Sequence, residues 1–257
     1  MFYKEFAEAR FRLLLFWGLF AIFLLVTVAL RPFIGDLMGQ MESELGNMPA
    51  FLKNLLGDIS GISRLANDDN WYLLSQWHAK NLGQFIPLFV LVFTFPVFAR
   101  ETDKKTIYFL LARKNRSSVF SGKFWSGLVF VLGTLAFFSL MGPLAMKMGG
   151  YAVGFAGTMP FLFQQMVSGF FLYTLFTLFS IVLGDPVKAV IAGIVVVLGT
   201  PFFSMIPNLG FLNVYNYITG IHPLGGKGVD IWYSLGLGAS GAFLLWLDWK
   251  LFARKEF

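Results

Sequence analysis

Residues 160–206 read PFLFQQMVSGFFLYTLFTLFSIVLGDPVKAVIAGIVVVLGTPFFSMI. The only Asp, Glu, Lys, Arg or His in this stretch are Asp185 and Lys188, and both fall in the break GDPVK at 184–188. On either side lies an apolar run of roughly 20 residues, the length an α-helix needs to cross hydrocarbon. A strand of a membrane barrel would be nearer about 10 residues with alternating polarity, and neither run alternates. The stretch therefore reads as two transmembrane helices, 160–183 and 189–206, joined by a tight turn.

Working outward, the same reading applies to 13–30, 82–98, 124–146 and 231–247. This gives an all-α integral membrane protein with six transmembrane helices in a single transmembrane domain, 1–257. The composition agrees. Of the 257 residues, 57% are hydrophobic and 13% are charged, against roughly 25% charged in an ordinary soluble domain. The absence of cysteine excludes disulfides, thiol catalysis and thiolate metal sites. The first apolar run is too long for a cleaved leader, and it is preceded by Glu5 and Glu8 as well as basic residues.

Fourteen of the twenty Lys and Arg fall in the N-terminal segment, the 100–123 loop, the 184–188 turn and the C-terminal segment. By the positive-inside rule that side is the cytoplasm, and both termini lie there. The charge of +6 is thus a topology signal, and no nucleic-acid partner is expected. Residues 1–12 place Phe2, Phe6 and Ala9 at helical spacing, as in an amphipathic helix lying in the interface; the alternative is a plain extension of the first span. Residues 31–81 read as an external helical loop, with Trp71 and Trp77 at an aromatic belt. Residues 207–230, rich in Pro, Gly, Asn and Tyr, read as an external re-entrant or interfacial segment.

The centres of the six stretches contain no Asp, Glu, Lys, Arg or His. Ion-coupled carriers and intramembrane enzymes usually keep such groups at the midplane. Asp185 and Asp248 sit near span ends and read as interface-level charges. His78 and His222 are both expected outside, with no metal site between them. No G-x-x-x-x-G-K-[ST] loop occurs, so no residue is expected to be catalytic and any ATP and Mg would belong to another chain. The pairs Ala189 and Gly193, Gly236 and Ser240, and Gly238 and Ala242 are spaced for close helix packing, within the bundle or between subunits.

Residues 100–123, RETDKKTIYFLLARKNRSSVFSGK, surround the apolar patch Ile107–Leu111 with seven basic and two acidic residues. Such a segment either dips into the headgroups or docks in a groove of a cytoplasmic partner. It resembles the loop after the second span in ABC exporter permeases of the type-2 class. The pattern there is Arg-Glu, a polar gap, Thr, two leucines, Arg and Gly-Lys, matched by Arg100, Glu101, Thr106, Leu110, Leu111, Arg116, Gly122 and Lys123. Two positions depart from it: Lys105 stands where the family often has Gly, and Lys114 stands in place of a Pro, in a segment about one residue short.

The resemblance implies a multi-pass permease subunit in a prokaryotic plasma membrane. It would be paired with a second permease subunit, identical or a close paralogue, and docked on a separate cytoplasmic ATP-binding subunit. The residues implied in coupling are Glu101, Thr106, Ile107, Leu110, Leu111, Arg116 and Lys123, with Asp185 and Lys188 in the second cytoplasmic turn. The charge-free, Phe-rich spans favour an amphipathic or apolar cargo: a peptide, toxin, drug or lipid. The competing reading is an accessory or structural membrane protein without a transport cycle.

Overall fold

The computed structural model describes residues 2–46, 64–65 and 67–256, and no strand occurs among them. Helix α1 (Phe2–Gly46) is followed by α2 (Asp69–Tyr72), which runs into a π-helical stretch, Leu73–Leu82, and a 3-10 turn, Gly83–Phe85. After these come α3 (Ile86–Thr94), α4 (Ala99–Asp103), α5 (Ile107–Arg113), α6 (Arg116–Met148), α7 (Thr158–Leu183) and α8 (Pro186–Gly199). Two 3-10 turns, Thr200–Met205 and Gly210–Leu212, lead to α9 (Val214–Ile218), α10 (Ile221–Leu224) and α11 (Ile231–Arg254).

Among the described residues, five segments are long and apolar enough to cross a membrane: Glu5–Leu37, Asp69–Asp103, Arg116–Met148, Thr158–Leu183 and Pro186–Met205. The sixth expected stretch forms α11. Its 24 residues reach roughly 36 Å, but Gly, Ser, Trp and Tyr dilute its apolar character. It lies along α7, which also packs against α3, α6 and α8 and so forms the centre of the bundle.

Three boundaries differ from the sequence reading. Residues 2–12 are not a separate interfacial helix; they are the first turns of an uninterrupted α1, because nothing between Arg10 and Leu15 breaks a helix. The external loop expected at 31–81 is shorter. α1 continues through Pro32 to Gly46, and residues 69–81 already belong to the second span. Residues 51–62 of that expected helical loop lie outside the described residues. Trp77 is not in an interfacial belt: it is fully buried, and its Nε1 donates to Phe138 O at 3.1 Å.

Close packing depends on small residues and internal hydrogen bonds, since lipid offers no hydrophobic drive to bring helices together. A Cβ on Gly142 would strike the Trp77 indole, and one on Gly127 would strike the Tyr173 hydroxyl. That hydroxyl donates to Phe124 O at 3.0 Å. Phe16, Phe20, Phe89 and Phe138 interlock with ring centroids 5.2–6.1 Å apart. At the end away from the termini, Arg31 of α1 pairs with Asp69 at 2.8 Å, and the Tyr72 hydroxyl donates to Thr27 O at 2.7 Å.

The 184–188 turn follows local chemistry. Gly184 ends α7 at φ 63°, a left-handed conformation suited to glycine. Asp185 accepts from Val187 N and Lys188 N, and Pro186 opens α8.

Candidate coupling site

Both termini and the 100–116 segment lie at one end of the bundle. Glu5 of α1 contacts Lys123 near the start of α6, and Arg116 reaches the end of α11. Here the second span breaks at Phe95–Phe98, where Pro96 interrupts the ladder. Neighbouring helices satisfy the freed backbone groups. Ser180 Oγ of α7 donates to Phe95 O at 2.8 Å and accepts from Phe98 N and Ala99 N at 3.2 and 2.9 Å. Arg12 Nη1 of α1 donates to Val92 O and Phe93 O at 3.1 and 3.3 Å. The break is thus a braced joint between α3 and α4.

α4 places Glu101 inward. Lys123 Nζ, with its side chain 1% exposed, lies 3.2 Å from Glu101 Oε1 and 2.8 Å from Glu5 Oε1. Thr106 Oγ1 donates to Glu101 Oε2. One ammonium therefore ties the N-terminal turns, the loop and α6 together, away from solvent. Three residues expected in coupling, Glu101, Thr106 and Lys123, meet here; Glu5 completes the cluster and was not singled out in the sequence. Breaking such a buried pair by removing one partner typically costs about 3–5 kcal/mol.

The turn into α5 needs a left-handed residue, and Lys105 supplies it at φ 58°. The type-2 pattern often has Gly there; this chain keeps the turn with a residue for which that conformation is strained.

α5 has two faces. Ile107 is fully buried, and Leu110 and Leu111, three and four residues on, pack inward beside it. Tyr108 and Phe109 face outward, 49% and 75% exposed. The leucines thus hold α5 to the bundle, and the outward aromatic pair is the part that sequence reading did not select. The signal was present, since Ile107, Leu110 and Leu111 share one helical face.

Arg116 reaches the end of α11, donating to Phe252 O at 3.5 Å and Ala253 O at 3.1 Å. Phe98, Phe120 and Phe252 stack behind the loop at 5.1–5.8 Å, joining the joint to α6 and α11. Asp185 caps α8 and Lys188 is exposed. Of the small-residue pairs, only Ala189 and Gly193 pack within the chain: a Cβ on Gly193 would strike Leu91. Gly236 and Ser240 line a cavity, and a Cβ on Gly238 would meet nothing within 4 Å. Gly241 makes the close approach of α11 instead, against Phe170.

Two polar expectations change. Asp248 is not an interface-level charge: it is fully buried, and neither carboxylate oxygen has a hydrogen-bond partner among the described residues. His78 is not external; it is buried in the π-helical stretch against Phe161, with ring centroids 5.4 Å apart.

The family model for ABC-2 family transporter proteins matches residues 1–227. The chain belongs to the ABC-2 transporter family. As such it is a multi-pass membrane protein and a permease component of an ABC transporter, not itself catalytic, in a family whose permeases generally work with an ATP-binding subunit. Neither the curated proteins nor the solved structures include a match to this ABC-2 permease.

Proposed function

We propose that this ABC-2 permease is the membrane-spanning half of an ATP-driven exporter, with six spans and both termini in the cytoplasm. A separate ATPase, which holds the ATP and Mg, docks on the outward face of α5. The observation that carries this reading is the exposed pair Tyr108–Phe109, mounted on a helix whose opposite face is anchored and whose base is tied by Lys123 to α1 and α6. Exposed aromatics ringed by Lys and Arg suit a protein groove.

The mechanical path is contiguous. A push on α5 acts on the Glu101–Lys123–Glu5 cluster, and on the Phe98–Phe120–Phe252 stack, before it reaches α7. The braced joint at Phe95–Phe98 lets α4 tilt without tearing the α3 ladder. A second permease subunit, identical or a close paralogue, completes the pathway, and the cargo is amphipathic or apolar.

The test is to isolate the tagged chain from its native host in mild detergent. A stoichiometric soluble subunit with vanadate-sensitive ATP hydrolysis is the expected result. A folded chain that repeatedly arrives alone would favour an accessory protein without a transport cycle.

A further inference from the structure

At the end away from the termini, the segment 200–230 folds back over α7, α8 and α11 and leaves two adjoining chambers. The first, about 660 Å³, is walled by Leu172, Leu175, Val197, Ile218 and Leu237. Its volume lies in the range of small-molecule pockets, roughly 300–1,000 Å³. The exposed rings of Phe211 and Trp232, 62% and 84% exposed, stand at its rim, beside the half-buried Phe203. The second, about 270 Å³, shares Phe211 and Tyr233 with the first and is the more polar of the two. Gln164 and Asn213, 1% and 7% exposed, line it together with Asn216, His222 and Asp230.

Asp230 is the one Asp, Glu, Lys or Arg among the lining residues of either chamber. Its Oδ1 accepts from Tyr233 N at 3.0 Å and caps α11, while Oδ2 lies 3.7 Å from His222 Nδ1. An apolar chamber adjoining a smaller, more polar one with a single carboxylate is complementary to an amphiphile with a cationic head. At the membrane-surface end of the bundle, the bilayer itself supplies that chemistry.

We propose that this paired chamber holds a lipid with an ammonium head group, of the phosphatidylethanolamine kind. One acyl chain occupies the apolar chamber and the ammonium meets Asp230. His222 and Asn216 remain as hydrogen-bond donors for the phosphate. The inference rests on the chambers and the membrane setting alone, and does not require the exporter reading.

The test uses the full chain in dodecyl maltoside, stripped of lipid and titrated with phosphatidylethanolamine or phosphatidylglycerol, with bound lipid counted by native mass spectrometry. Phosphatidylethanolamine should be retained about tenfold more tightly, the preference one charge-assisted contact worth about 1.4 kcal/mol gives. Asp230→Asn keeps a good helix cap and should erase the preference without lowering the melting temperature. A Cβ on Gly236 meets nothing within 4 Å, so Gly236→Phe should fill the chamber and reduce retention of both lipids. Ser240→Leu, on the same wall, does so if the first variant does not fold. Equal retention of the two lipids by the unaltered chain, or a preference that survives Asp230→Asn, would overturn the proposal. So would filling variants that dissociate a dimer and leave lipid retention unchanged, for then the chamber is a subunit interface.

Discussion

The second span and the Pro186–Met205 segment have equal mean hydropathy, 2.0, yet 72% of the most apolar window is buried in the first and 11% in the second. Hydropathy says that a segment enters the membrane; it does not say what the segment faces there. The second span is irregular, with a π stretch, a 3-10 turn and a Pro break, and its freed backbone groups at the break are met by α1 and α7. Irregular backbone of this kind is tolerated in hydrocarbon where it is enclosed by protein. α8 is a regular helix with all its backbone bonds internal, so it can stand at the edge with Ile191, Val195 and Leu198 exposed. The first segment is enclosed by the bundle, and the second stands at its edge.

The largest break in this contrast should come from Lys123→Met. It leaves Glu5 and Glu101 buried without their shared cation and should destabilise the chain by about 3–5 kcal/mol, read by thermal unfolding in detergent. Adding Glu5→Gln and Glu101→Gln should restore most of the loss, since members of one network couple. Gly193→Leu attacks the close approach of α8 to Leu91. It should cost about 1–3 kcal/mol, whereas Gly199→Ala, whose Cβ meets nothing within 4 Å, should be nearly silent. Asp248→Leu removes a buried carboxyl without a partner and should raise stability by roughly 1–3 kcal/mol. Lys105→Gly relieves a left-handed lysine, worth roughly 1–2 kcal/mol, partly offset by the freer unfolded chain, about 0.4–1 kcal/mol.

How far the sequence could be read follows from the same contrast. The spans were legible because hydrocarbon demands long apolar helices, and the 184–188 turn was legible because Gly, Asp and Pro each have a positional role there. The short helix packed against the bundle in the 100–116 segment was legible from its apolar patch. The inward face of Asp248 and the burial of His78 and Trp77 were not, because they depend on which helices neighbour which. The pairing of Glu5 with Lys123, 118 positions apart, left no local signal. Within the chain, the glycine of α11 that meets α7 is Gly241, and Gly236 and Gly238 do not, since four-residue spacing of small residues marks several faces of one helix.

On the proposed function, the outward face of α5 receives the ATPase. The direct measurement is co-purification of that subunit with Phe109→Asp, beside Leu110→Asp as a control for loss of the fold. Phe109→Asp should leave membrane insertion and melting temperature unchanged while the ATPase and its stimulated hydrolysis are lost. Leu110→Asp should lower the melting temperature as well. A Phe109→Asp chain that retains the ATPase at full stoichiometry and activity would contradict the account.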